Sequence, residues 1–90
     1  MSNKFPRDIV FVFMNQVKKG VYRHFKGNLY EVIGTAKNSE NLEEEWVVYR
    51  PLYKSEVVID LCIRPKEMFL EEIEREGKKM KRFKYLRPAL

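Results

Sequence analysis

Few side chains in this sequence could do chemistry, and those few are scattered. His24 is the single histidine and Cys62 the single cysteine in 90 residues. A Ser-His-Asp relay would have to run through His24, yet no Gly-x-Ser-x-Gly elbow or other nucleophile signature accompanies it. One cysteine makes no intrachain disulfide, no cysteine-rich zinc site and no Cys-x-x-Cys redox pair, and Cys62 within a strand reads as packing. Glu40, Glu43, Glu44 and Glu45 offer oxygens to a hard cation, but without the alternating ligands and central glycine of a calcium loop. Glu31, Asp60 and the group Glu71, Glu72 and Glu74 supply carboxylates with no spacing that selects an acid and a base. The residues therefore assign no catalytic group, no metal and no cofactor, and the chain reads as a binding module rather than an enzyme.

Binding chemistry is better represented. From Lys78 to Arg87, KKMKRFKYLR has no acidic residue and interleaves cations with aromatics. In one strand Lys79, Lys81, Phe83 and Tyr85 fall on one side and Met80, Arg82 and Lys84 on the other. Phosphate attraction beside stacking rings is how many small β domains hold oligonucleotides. Lys79, Lys81, Arg82, Phe83, Lys84 and Tyr85 are thus the candidates for contact with nucleic acid or a ribonucleoprotein. Lys18, Lys19, Arg23 and Lys26 extend the patch if the first hairpin lies alongside. The bland alternative is that Phe83 and Tyr85 close the core while the lysines solvate an edge strand. A second set, Tyr22, His24, Ser39, Glu40, Tyr49, Arg50 and Arg64, are candidates to line a small-molecule pocket. Arg50 and Arg64 each precede a proline, which fixes their backbone for a phosphate or carboxylate, Glu40 and Asp60 being internal partners. The alternative function is a protein partner or homodimer, mated through the apolar segment Phe11 to Met14 or an unpaired edge strand.

These groups must be positioned by short elements. FPRDIVFVFMNQVKKG mixes strand-forming residues with helix punctuation. Pro6 suits a first turn, Asp8 the positive end of the dipole, Lys18 and Lys19 the negative end, and Gly20 the stop. The reading is a helical segment over 1–19 whose buried stripe is Ile9, Val10, Phe13 and Val17. After Gly20 the period becomes two. GVYRHF and LYEVIG make a hairpin with Gly27-Asn28 as a two-residue turn, so that His24 faces Glu31. That register puts Val21, Phe25, Tyr30 and Val32 inward and Tyr22, His24, Lys26 and Glu31 on the wetter face. A polar loop, Thr35 to Glu45, precedes the strands Trp46 to Tyr53 and Val57 to Arg64, joined at Lys54-Ser55-Glu56. In the second of these Val57, Ile59, Leu61 and Ile63 form one apolar face, while Pro51 marks the first as an edge or a bulge. Pro65-Lys66-Glu67-Met68 allow one helical turn before a hairpin around Glu76-Gly77. Residues 87–90 are read as a frayed tail.

The expected fold is mostly β: a small antiparallel SH3-like barrel or curved sheet of five to six strands over 20–86 with the N-terminal helix, in one domain over 1–90. Apolar residues at 44% and charged residues at 34% exclude a disordered chain, and the net charge of +5 favours anionic partners. Ile9 to Met14, the longest apolar run, is too short to span a bilayer and lacks a cleavage pattern, so no membrane partner is expected. The unpaired cysteine fits a reducing, cytoplasmic location.

Three ordered stretches, GVYRHFKGNLYEVIGTAKNSENLEE, VVYRPLY and IRPKEMF, resemble the bacterial domain of unknown function family sixteen fifty-three. The resemblance spans about Gly20 to Tyr85 and implies a compact, mostly β domain with no activity attached. Where the family often has Ala-x-His-Ser-Glu-Thr, this chain has Ala36-Lys37-Asn38-Ser39-Glu40-Asn41. The missing imidazole removes a His-dependent chemistry from that motif, while a polar recognition or loop-structuring role survives.

Overall fold

A computed structural model of the chain describes residues 16–89. The expected helix over 1–19 lies outside the described residues as far as residue 15, and residues 16–18 have no regular structure. Seven strands and one helical turn follow: β1 (Gly20–His24), β2 (Leu29–Asn38), β3 (Asn41–Pro51), β4 (Cys62–Pro65), α1 (Lys66–Phe69), β5 (Glu72–Arg75), β6 (Lys78–Lys81) and β7 (Phe83–Arg87). Five of them form an antiparallel sheet in the order β4-β3-β2-β1-β7, and β5 and β6 form a separate hairpin. The fold is mostly β as expected, but no barrel closes, because β4 and β7 end the sheet without pairing to each other.

The first hairpin shows how one glycine decides which faces are wet. Its loop is Phe25-Lys26-Gly27 rather than Gly27-Asn28, closed by His24 N–H donating to Asn28 O at 2.9 Å and Gly27 N–H to His24 O at 2.7 Å. Gly27 sits at φ +110° as the third loop residue, a conformation side chains resist. Tyr22 therefore pairs with Tyr30 and Gly20 with Val32. The pairing differs from the expected one by an odd number of residues, which brings Tyr22 and His24 to the face of Tyr30 and Val32, while Val21 is buried as expected. Tyr22, expected on the wet face, is buried, and His24 turns inward with it.

The expected polar loop from Thr35 to Glu45 is instead strand. β2 and β3 continue as a two-stranded arm to a turn at Ser39-Glu40, where the Asn38 side chain accepts the Glu40 N–H at 2.9 Å. Charged residues are tolerated there because most arm positions are exposed. Conversely, the expected strand from Val57 to Arg64 is ordered as strand only from Cys62. Leu52 N–H donates to Leu29 O at 3.0 Å, continuing the pairing of β3 with β2, whereas the pairing with β4 stops at Tyr49 and Cys62, and Pro51 has no N–H to extend it. Residues 78–87, expected as one strand, divide at Arg82 into β6 and β7. Arg87 is part of β7, opposite Val21, rather than tail.

The core lies on one face of the sheet and joins its two ends. Phe69, at the end of α1 just after β4, stacks on Phe83, the first residue of β7, at 4.2 Å between centroids and 8° between planes. Tyr22 meets Phe69 edge-on, Tyr49 meets Phe83, and Val32 and Val47 fill the floor. Glu76 and Gly77 both take positive φ, giving the two-residue turn of the β5–β6 hairpin.

Candidate nucleic-acid interface

β7 pairs with β1, so the basic C-terminal strand and the first hairpin lie side by side. The register sets Arg23 directly opposite Lys84 and Tyr22 opposite Tyr85. Like charges opposed across two strands cost stability, and neither Arg23 nor Lys84 has a carboxylate partner among the described residues. Beside this pair opens a groove of about 580 Å³ lined by Arg23, His24, Phe25, Met80, Lys81, Lys84 and Tyr85. No acid lines it. Cations also surround its ring: Lys26 Nζ and the Arg75 guanidinium each lie 5.8 Å from the centroid of Phe25.

His24 registers the field of this end. Burial pushes its imidazole below the ordinary range, and Arg64, Arg82 and Lys26 push it further the same way. It packs on Phe83 at 4.9 Å and Phe25 at 4.4 Å, and its Nδ1 accepts the Lys26 N–H at 3.2 Å. Its expected partner is elsewhere: Glu31 accepts from Arg50 Nη2 at 2.7 Å and Nε at 3.0 Å on the opposite face of the sheet.

Of the six residues expected to touch nucleic acid, Lys81, Lys84 and Tyr85 line the groove. Phe83 does not, because it is core. Arg82 is tied inward, its Nη2 at 3.4 Å from Glu71 and its backbone bonded to Glu71 and Phe25. Lys79 stands opposite Glu74 on the hairpin. The split of the basic run at Arg82 is the common reason. The groove adds Phe25 and Met80, for which the sequence carries no signal beyond their proximity to lysines.

The pocket candidates do not converge. Tyr22 and Tyr49 are core, with Tyr22 donating its hydroxyl proton to Lys18 O at 2.7 Å, and burial raises the Tyr22 hydroxyl above its ordinary value. Arg64 donates to Tyr49 Oη at 3.2 Å and to Met68 Sδ at 3.3 Å, taking neither Glu40 nor Asp60. Arg50 is held by Glu31, and Ser39 and Glu40 are exposed at the tip of the arm. No group of three or more His, Cys, Asp or Glu poised for a metal occurs among the described residues. No helix among them is long and apolar enough to cross a membrane.

The chain is thus an open antiparallel sheet with a basic, aromatic-lined groove at one end. A family model described as "protein of unknown function (DUF1653)" matches residues 20–85, and the chain belongs to that family. It is similar to the crystal structure of a DUF1653 protein from Bordetella bronchiseptica, at 30% identity and TM-score 0.74, over 86% of this chain and 95% of that one. No curated protein matches.

Proposed function

We propose that this domain binds single-stranded nucleic acid, free or within a ribonucleoprotein, along the groove between β1, β7 and the β5–β6 hairpin. The observation that carries the reading is the opposed pair Arg23 and Lys84, a destabilising arrangement that a phosphate between the two would relieve. Lys81 offers a third cation and Phe25 a ring for a base, while Tyr85, packed against the core with Lys18 Nζ 5.1 Å from its ring centroid, walls the groove. Binding rather than catalysis suits this lining, since His24 is its one imidazole and no Ser, Thr or Cys stands beside it among the lining residues.

The test is a fluorescence-anisotropy titration of the full chain with a short single-stranded oligonucleotide at two salt concentrations. Three phosphate contacts give a slope of about −2 in log K against log salt, which is roughly a 20-fold loss of affinity from 50 to 200 mM. Arg23→Ala and Lys84→Ala each reduce the magnitude of that slope by about 0.7. Absence of binding at low salt, or binding indifferent to salt and to both substitutions, overturns the reading.

A further inference from the structure

We infer that the chain forms a twofold homodimer by antiparallel pairing of residues 60–64, the start of β4 and the two residues before it, with the same residues of a second copy, continuing the five-stranded sheet across the axis. The described chain leaves one strand pattern unused. Val57, Ile59, Leu61 and Ile63 alternate as a strand requires, yet only Cys62–Pro65 is strand, and Val57, Leu61 and Ile63 are 67%, 59% and 62% exposed. β4 has a neighbour on one side only among the described residues. An edge that is apolar and unpaired is a template for another strand.

Register and charge select the occupant. With the axis at Cys62, antiparallel pairing sets Leu61 against Ile63 of the second copy, twice by symmetry, on the face that is exposed in one chain. On the other face Asp60 stands across from Arg64 of the second copy, again twice. Neither residue has an ion-pair partner within its own chain among the described residues. The Arg64 guanidinium donates to Tyr49 Oη and Met68 Sδ and lies 5.5 Å from the Phe83 ring centroid, so meeting Asp60 of the second copy requires it to swing outward from that ring. A segment whose apolar pairs and unpaired charges both complement its own reversed sequence fits a second copy of itself.

Sedimentation velocity on the full chain tests this, together with cross-linking by a short bismaleimide. The expected result is a species of twice the monomer mass, captured through Cys62, the chain's single cysteine. Leu61→Asp with Ile63→Asp, both at exposed positions, returns the chain to monomer with an unchanged circular-dichroism spectrum. Asp60→Arg alone weakens the dimer on the order of tenfold by opposing like charges at two symmetric places, and adding Arg64→Asp restores it. A monomer at the highest soluble concentration overturns the inference. So does a dimer that survives the Leu61→Asp, Ile63→Asp variant or is not captured through Cys62, since its interface would then lie elsewhere.

Discussion

The two ends of the five-stranded sheet are edges of opposite chemistry. β7 presents Lys84 and Arg87 and is followed by Pro88, the charged and proline-terminated form by which natural sheets discourage further pairing. β4 presents Ile63, preceded by exposed Asp60 and Leu61, and neither Asp60 nor Arg64 has an ion-pair partner among the described residues. One edge repels another strand and attracts anions; the other invites a strand. The same small core serves both, because Phe69 follows β4 and Phe83 begins β7, and their stacked rings tie the two ends together. A domain too small for a deep cleft can in this way carry two distinct binding surfaces on the ends of one sheet.

The contrast can be broken at its shared point or sharpened at either end. The largest effect falls on Phe69→Ala, which removes the stacked partner of Phe83 from a fully buried position and costs about 3–5 kcal/mol, read by urea unfolding. The oligonucleotide binding and the dimer proposed above are both expected to weaken in that variant.

Next is Gly20→Ala. Gly20 sits at φ +143°, and a Cβ there would lie 2.6 Å from Arg87 O and 2.9 Å from Tyr85 Cε1, so β7 would have to move off β1. A loss of about 2–4 kcal/mol is expected. Gly27→Ala, whose Cβ would meet open space, should cost only about 1 kcal/mol from its backbone strain. Equal losses for the two glycines would show that the close approach of β7 to β1 is not what Gly20 secures.

A smaller effect separates stability from binding. Lys84→Glu converts an opposed like-charge pair into an ion pair with Arg23, so unfolding should become harder by about 0.2–1 kcal/mol while oligonucleotide affinity falls. A variant that is destabilised, or that binds as wild type does, would remove the reason given for the opposed cations.

The smallest effect concerns His24. Its folded-state pKa lies below the unfolded one, so as pH falls below about 6.5 the unfolded chain takes up the proton first and stability declines until the folded imidazole protonates too. A bound phosphate chain should raise the His24 pKa by offsetting Arg64, Arg82 and Lys26, an upward move of the NMR titration midpoint on adding oligonucleotide.

Much of this was written plainly in the sequence. Period-two runs marked β1, β2 and β3, Glu76-Gly77 marked the β5–β6 turn, and Pro65-Lys66-Glu67-Met68 marked a single helical turn. The basic stretch contains Lys81, Lys84 and Tyr85, which line the groove. What was hidden depended on long-range facts. The face of Tyr22 hung on whether Gly27 stood first or third in its loop, a difference that composition does not encode. The break at Arg82 comes from its backbone bonding to Glu71 on one side and Phe25 on the other, contacts far away in sequence. The polar arm from Thr35 to Glu45 reads as loop because its strands have little core to face, and pairing alone makes them strands. The apolar run from Val57 misleads in the opposite sense: its pattern is that of a strand, and nothing among the described residues pairs with it before Cys62.

The most direct test of the contrast between the two edges is a backbone-amide NMR titration with a short single-stranded oligonucleotide at low salt. The account predicts shift changes concentrated at Arg23, Phe25, Lys81, Lys84 and Tyr85, with Leu61 and Ile63 unmoved. Changes centred on β4, or spread evenly over every lysine of the surface, would contradict it.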